Sequence, residues 1–185
     1  SGEAYQTEED QARSLVKRCV WNRANGLDKL FWNNLVDFYQ FNGETGSLYN
    51  SLGLISDGQN SGDGTSRINT ARVSYWAYER IVNKTDTGKG VLVGTVAGVH
   101  DNSNMFAYRY TNQTNGAELF IMWRESGTQT VSVAVTGPVY VVRDLITDRF
   151  GNVLKTYNAT ATVGSISISL SQNPLLIEPT TSALS

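Results

Sequence analysis

The feature that most limits the fold is a series of eight short strand patterns after Gly90, with no helical period among them. Apolar and polar residues alternate in these segments, most strictly where Ile166, Ile168 and Leu170 share one face. Turn residues separate the segments at intervals of about 10 residues, as in two-layer antiparallel domains. The series therefore predicts an antiparallel β-sandwich over residues 90–179. The predicted strands are VLVGTVAGV, FAYRYTN, AELFIMW, TVSVAVT, VYVVRDL, VLKTYNA, SISISLS and PLLIEP.

The chain before these strands carries a helical pattern that begins with a capping signal. Thr7 precedes Asp10 by three residues. At this spacing the Thr7 hydroxyl can accept the Asp10 N–H, and the Asp10 carboxylate can accept a hydrogen bond from Thr7 in return. Apolar residues then recur at helical spacing as far as Gly26, a residue that favours the end of a helix. The pattern predicts a helix over residues 8–24. The apolar run over 27–36 follows at once, and a run buried on both faces is typical of a parallel strand.

A second helical pattern, over residues 67–82, follows a long polar segment. Residues 42–66 are dense in Gly, Asn, Ser and Asp, which predicts a loop. A loop of this length in a compact domain is usually functional. Ser66 stands where its hydroxyl would cap the second predicted helix.

Composition limits the partners and the chemistry. Lys and Arg number 15 and Asp and Glu 17, a net charge of −2, which gives no electrostatic reason to expect a nucleic-acid or membrane partner. Cys19 is the only cysteine, so we expect a packed thiol and neither an internal disulfide nor a cysteine-based metal site. The abundance of Gly, Ser, Thr and Asn is common in secreted β-rich proteins. We therefore expect an extracellular protein with no cofactor and no metal.

Taken in order, the segments resemble the C-terminal end of retaining glycoside hydrolases of the large (β/α)8 clan, clan A, in the β-xylosidase-like branch with an accessory β-sandwich. The resemblance implies an α+β, multi-domain fold: the terminal βα units of a (β/α)8 barrel over 1–84, then the sandwich over 90–179. The chain departs from the family at the second helix, which lacks the usual proline. The matching segments are Gly2-Glu3 for strand seven, EEDQARSLVKR for helix seven, GLDKLFWNNLVD for strand eight, NSLGLIS for the following turn and RVSYWAYERIV for helix eight.

The resemblance also implies a reaction. Retaining glycosidases use two carboxyl groups about 5–5.5 Å apart, one as nucleophile and one as acid/base. Glu3 matches the nucleophile at the end of strand seven, although a glutamate near a chain end is also commonly a solvent-exposed residue. The acid/base of this clan follows an asparagine, and the chain contains no Asn-Glu dipeptide. We therefore expect the chain to be inactive alone and to need the missing N-terminal barrel portion as a separate chain, or self-association.

The same resemblance implies a carbohydrate ligand and the residues that bind it. Trp32 matches the aromatic floor of the sugar site, with a buried core tryptophan as the alternative. Asn33, Asn34 and Asp37 follow it and are predicted to line the same site, with loop capping as the alternative. A second function stays open: a non-catalytic β-sandwich module that binds carbohydrate or supports the barrel. A third is a structural scaffold that keeps a decayed glycosidase sequence.

Aromatic residues in the predicted sandwich discriminate between these functions. An exposed row of them would form a platform for sugars, whereas alternating aromatic residues in strands more often belong to a core, which is the expectation here. The residues concerned are Tyr108, Tyr110, Phe120, Trp123 and Tyr140.

Overall fold

A computed structural model of the chain describes residues 7–27, 29–32, 35–36, 53–57, 68–86 and 89–180. Within these ranges the chain forms two helices and ten strands, a β-rich α+β fold built mostly of antiparallel sheet. The elements are α1 (Glu8–Ala24), β1 (Ile55–Asp57), β2 (Ile68–Ala71), α2 (Val73–Thr85), β3 (Gly90–Thr95), β4 (Met105–Asn112), β5 (Glu118–Arg124), β6 (Gln129–Ala134), β7 (Val139–Asp144), β8 (Thr156–Thr160), β9 (Ser165–Leu170) and β10 (Leu175–Pro179).

The eight strands predicted after Gly90 are confirmed as β3 to β10. Six of them form one sheet in the order β3-β4-β5-β10-β7-β8, and the other two form the pair β6-β9. Every pairing within these two sheets is antiparallel. The last strand, β10, lies between β5 and β7, so the end of the strand series completes the middle of the large sheet.

One hydrophobic core fills the space between the two sheets. Ile166, Ile168 and Leu170 of β9 are almost fully buried, which confirms the face predicted from their alternation. They belong to the same cluster as Phe120 and Met122 of β5. The period of two in these strands therefore places the apolar side chains on the face between the sheets.

A second core covers the opposite face of the six-stranded sheet, where the two helices pack. Leu119, Ile121 and Trp123 of β5 point to this side and are buried. Both faces of β5 are thus covered, and the described part of the chain has three layers: helices, large sheet and small sheet. The helical residues of this core are Ala12, Val16 and Val20 of α1 and Val73, Ala77 and Ile81 of α2.

The aromatic residues of the strands are core residues. Each of the five singled out from the sequence is at most 2% exposed, so the core expectation is confirmed and the exposed platform is contradicted. The buried Trp123 satisfies its polar atom by donating Nε1–H to Glu125 at 2.7 Å. Glu125 also accepts from Lys17 of α1 at 2.8 Å, which links the helix layer to the sheet.

The first helix begins and ends as predicted. The Thr7 hydroxyl accepts the Asp10 N–H at 3.1 Å, and it donates to the Asp10 carboxylate at 2.9 Å. At the other end the Leu27 N–H donates to the Asn22 carbonyl at 2.9 Å, which closes the helix around Gly26. Burial raises the pKa of the Cys19 thiol to about 11, as expected of a packed thiol that is not a nucleophile.

The second helix begins later than predicted. Residues 68–71 form β2, which pairs antiparallel with β1, so the helix begins at Val73 and not at 67. The apolar spacing fitted a helix, but the pairing with β1 satisfies the backbone of this segment in extended form. β1 also shows that the predicted loop over 42–66 contains a strand, whereas Ser66 lies outside the described residues.

The buried parallel strand predicted over 27–36 is wrong for the residues that the structure describes. Residues 27, 29–32 and 35 form no strand, and Phe31 and Leu35 are 88% and 63% exposed. Val36 makes a single parallel bridge to Ile55. No described element covers the two exposed side chains, so the apolar run lacks the two-sided burial that its sequence predicts.

Candidate functional site

The N-terminal ends of the two helices lie side by side. The Glu8 carboxylate at the start of α1 accepts Arg72 Nη1–H at 2.8 Å and the Val73 backbone N–H at 3.3 Å, both at the start of α2. Gln11 then accepts the Ser74 hydroxyl at 3.0 Å. Because the helices start at the same end and share a buried apolar face, they run parallel.

Glu8 acts as a cap for a helix other than its own. Arg72 occupies the N-cap position of α2 but makes no side-chain capping bond, and the first turn of α2 has no acidic residue. A carboxylate at a helix N-terminus is stabilised by the free N–H groups and the positive end of the helix dipole. The pair is well shielded, since Arg72 is only 5% exposed. The contact therefore fixes where α2 begins.

Leu35 is linked by backbone hydrogen bonds to the same end of the molecule. The Arg72 N–H donates to the Leu54 carbonyl at 2.9 Å, and the Leu35 carbonyl accepts from Leu54 and Ile55 at 3.0 and 2.9 Å. Backbone hydrogen bonds thus connect the start of α2 through β1 to Leu35. We call the region defined by Glu8, Arg72 and Leu35 the helix-start end.

In proteins built of parallel βα units, the end at which the helices begin is the end that carries the chemistry. In such a unit each helix begins beyond the carboxyl end of the preceding strand, and barrel enzymes carry their active sites at that face. Both helix starts and Leu35 meet here. This makes it the candidate functional end of the described part of the chain.

Of the predicted site residues, only Trp32 is described. Glu3, Asn33, Asn34 and Asp37 lie outside the described residues, so their roles stay predictions. Trp32 is partly buried and immediately follows the exposed Phe31. In chain order, Glu3 precedes the first helical residue by five positions, and Trp32 precedes Leu35 by three. Both therefore stand close in sequence to residues of the helix-start end.

The adjacent His100 and Asp101 form a structural turn. Asp101 Oδ1 accepts three backbone N–H groups, those of residues 103–105, at 2.8 to 2.9 Å. These bonds, with that of Met105 foremost, hold the pKa of Asp101 well below its usual range. His100 Nδ1 accepts the Ala107 N–H at 3.1 Å. Each side chain thus orders its own backbone, and the two make no catalytic dyad.

Asp144 is a buried carboxyl at the end of β7. Burial raises its pKa, and no residue that the structure describes donates a hydrogen bond to its Oδ1. Asn173 approaches Oδ2 at 3.5 Å and accepts a hydrogen bond from Arg13 of α1 at 3.0 Å. The group therefore belongs to the interface between the helix layer and the sheet.

The described ranges contain neither a cluster of metal-ligating side chains nor a helix that could span a membrane. No group of three or more His, Cys, Asp or Glu residues there is placed to hold a metal ion. Neither α1 nor α2 has the length and apolar character needed to cross a membrane.

Comparison with known proteins shows a likeness in fold. No protein-family model matches the chain, and no curated protein sequence matches it. A similar solved structure is a family 39 glycoside hydrolase from the gut symbiont Bacteroides cellulosilyticus WH2, with a TM-score of 0.62 at 13% sequence identity. The match covers 94% of this chain and 31% of that enzyme, so the chain spans less than a third of its length. The likeness establishes a shared fold.

A second solved structure is less similar. It is CelM2, a bifunctional glucanase-xylanase protein from a metagenome library. It matches 67% of this chain and 26% of its own length at 16% identity, with a TM-score of 0.43.

Proposed function

We propose that the chain is the C-terminal part of a secreted, retaining β-glycosidase. The observation that supports this most is the parallel arrangement of α1 and α2, with both helix starts at one end of the molecule. Neighbouring helices of a (β/α)8 barrel have this orientation, because each helix returns the chain to the start of the next parallel strand. The strands that the structure describes between α1 and α2 are the antiparallel pair β1-β2. The shared fold with a family 39 glycoside hydrolase supports the same conclusion.

The proposed reaction is a double displacement at the anomeric carbon of a β-linked sugar. The Glu3 carboxylate attacks that carbon and the glycosidic C–O bond breaks, while an acid/base carboxyl on the preceding barrel portion protonates the leaving oxygen. The acid/base group, now a carboxylate, then removes a proton from water, and this water hydrolyses the glycosyl–Glu3 ester. Trp32 stacks on the sugar ring. Asn33, Asn34 and Asp37 bind its hydroxyl groups.

The proposed partner is the rest of the barrel, as a separate chain or through self-association. Leu35, at the helix-start end, and Phe31, four residues before it in the chain, are exposed apolar residues, and burial of such residues favours association. In this proposal residues 1–84 complete the barrel. Residues 90–179 are the accessory β-sandwich, whose large sheet packs on the helices through the second core.

The test is a kinetic comparison in the complete enzyme that contains this chain, with an aryl β-xyloside as substrate. Glu3→Ala should lower kcat at least about 10³-fold, because the covalent intermediate cannot form. Sodium azide should restore turnover, since the anion enters the space of the lost carboxylate and attacks the same carbon. Glu9→Ala is the matched control, an exposed glutamate of α1 that should keep full activity. Wild-type rates for Glu3→Ala would contradict the assignment.

The alternative is a non-catalytic module that supports a barrel. The close packing of the helices on the large sheet favours support over sugar binding by aromatic stacking, because the strand aromatics are buried. This alternative predicts that Glu3→Ala leaves turnover unchanged. It also predicts that variants of the second core, such as Ile121→Ala, lower only the stability of the enzyme.

A further inference from the structure

An open cleft of about 480 Å³ lies on the six-stranded sheet next to its edge strand. Its walls are formed by β3, β4 and the start of β5. The turn between β4 and β5 and the loop that joins β6 to β7 also line it. The cleft is remote in the chain from the proposed nucleophile and uses none of the predicted site residues. Its volume is within the range of about 300–1,000 Å³ that is typical of small-molecule sites.

Glu118 places a fixed carboxylate in this cleft. Its Oε1 accepts the Thr136 N–H at 2.7 Å, the Thr136 hydroxyl at 3.0 Å and the Tyr140 hydroxyl. Three donors on one oxygen fix the orientation of the group. Oε2 accepts no hydrogen bond from any residue that the structure describes, so it is available to a ligand.

Arg109 and Thr111 add a donor and a hydroxyl from the neighbouring strand. Both line the cleft from β4, and the Arg109 side chain is exposed. Neither side chain has a hydrogen-bond or ion-pair partner among the described residues. Val93 and Pro179 add apolar surface beside these polar groups. The cleft therefore combines a preoriented acceptor, a free cationic donor, a free hydroxyl and aliphatic contacts.

We propose that this cleft binds a neutral saccharide residue. A sugar ring presents adjacent hydroxyl groups that both donate and accept, together with apolar C–H groups, which matches the lining. The Glu118 charge disfavours an anionic ligand and the Arg109 charge disfavours a cation. The inference rests on the proposed function only for the choice of a sugar among polyhydroxylated ligands.

The test is a titration of the isotopically labelled 185-residue chain, followed by amide NMR shifts. The probes are methyl β-D-xylopyranoside and methyl β-D-glucopyranoside, with glucuronate and inorganic phosphate as anionic probes. We expect the neutral probes to shift the amides of Gly116 and Gly137, with a Kd of the order of millimolar for so open a site. Arg109→Gln should raise that Kd at least about tenfold, because a charged hydrogen bond is lost.

Two further variants keep this test decisive. Thr111→Val removes one hydroxyl without a change of charge and should also weaken binding, so the result does not depend on Arg109→Gln folding normally. Arg18→Gln, at an exposed arginine of α1, is the matched control and should bind as the wild type does. Absence of shifts with both neutral probes, shifts only with the anions, or equal binding by all variants would overturn the proposal.

The result is separable from the proposed function. A Glu3→Gln chain, which that function requires to be inactive, should bind the neutral probes as the wild type does. Cleft binding without Glu3-dependent hydrolysis would remove the glycosidase assignment alone. Glu3-dependent hydrolysis without cleft binding would remove this inference alone.

Discussion

At the scale of single residues, Glu8 links the start of α1 to the start of α2. Glu8→Ala removes the carboxylate that accepts hydrogen bonds from the buried Arg72 and from the first amide of α2. We expect the free energy of unfolding to fall by about 2–3 kcal/mol, between the loss of a cap and the loss of a buried ion-pair partner. Urea denaturation measures it. Glu9→Ala, one residue along on the exposed face, should change it by less than about 0.5 kcal/mol.

The raised pKa of Asp144 makes a prediction about how the stability of the fold depends on pH. Its pKa in the folded state is raised by burial, so the native state binds its proton more tightly than the unfolded state does. Its contribution to stability is therefore full below the unfolded pKa and is lost as pH rises through the folded pKa. We expect Asp144→Asn to be more stable than the wild type at neutral pH and to lose that advantage below about pH 4, the ordinary Asp range.

Asp101→Asn is the control of opposite sign for this experiment. The pKa of Asp101 is lowered in the folded state by backbone N–H groups, so its contribution is present above the unfolded pKa and is lost as pH falls. Asp101→Asn should therefore be less stable than the wild type at neutral pH. Denaturation curves at several pH values that show the same sign for both variants would contradict the assignments.

Local contacts were predictable from the sequence at this scale, and distant ones were not. The bond between Thr7 and Asp10 spans three residues, and the sequence pattern alone indicates it. The bond from Arg72 to Glu8 spans 64 residues. Its partners are two ordinary charged residues, and only the packing of the helices brings them together.

At the scale of elements, the turn at Gly151 determines how the loop after β7 contacts α2. Gly151 has a φ of +84°, and a Cβ added there would lie 2.8 Å from the ring of Trp76. Its carbonyl also accepts from Arg80 at 2.6 Å. We expect Gly151→Ala to lower the free energy of unfolding by about 2–4 kcal/mol, from backbone strain and a steric clash together.

Gly116→Ala is the matched control for the turn. Gly116 also has a positive φ, of +69°, but a Cβ there would meet nothing within 4 Å. It should cost only the backbone strain, about 1–2 kcal/mol. Thermal denaturation gives the stability that each variant loses, and the difference between the two losses measures the steric clash with Trp76. Equal losses of stability would show that this contact is unimportant.

Elements whose hydrophobic residues recur with a strong period were predictable from the sequence. Elements whose conformation or burial depends on neighbouring elements were not. Most of the strands after Gly90 alternate with period two, and all eight predicted strands occur. Residues 68–71 carry apolar spacing that also fits a helix, and only pairing with β1 makes them extended. The apolar run over 27–36 predicted burial on both faces, but burial is decided by neighbouring elements, and no described element covers Phe31.

At the scale of the whole molecule, the layers follow from strands that are apolar on both sides. β5 reads as a continuous apolar run, which is typical of a strand covered on both faces. The small sheet covers one face and the helix pair the other. The sequence contained this signal, but it did not show that the predicted helices are what covers the second face.

The parallel helix pair is the whole-molecule feature that connects the fold to the proposed reaction. It places both helix starts at one end, together with Leu35, and a barrel enzyme places its carboxylates at the corresponding end. The candidate site itself was predicted from a resemblance. Of its five residues, only Trp32 lies within the described part of the chain.

The most direct test of the account is to trap the covalent intermediate in the complete enzyme. A 2-deoxy-2-fluoro-β-xyloside with a good leaving group should glycosylate the nucleophile as that group departs, and the adduct should persist because the fluorine slows hydrolysis of the glycosyl ester. Peptide mass spectrometry should then find one 2-deoxy-2-fluoroxylosyl adduct on Glu3, absent from Glu3→Gln and present in Glu9→Gln. An adduct on another carboxylate, or rapid turnover with no adduct in an enzyme that inverts configuration, would contradict Glu3 as the nucleophile of a retaining glycosidase.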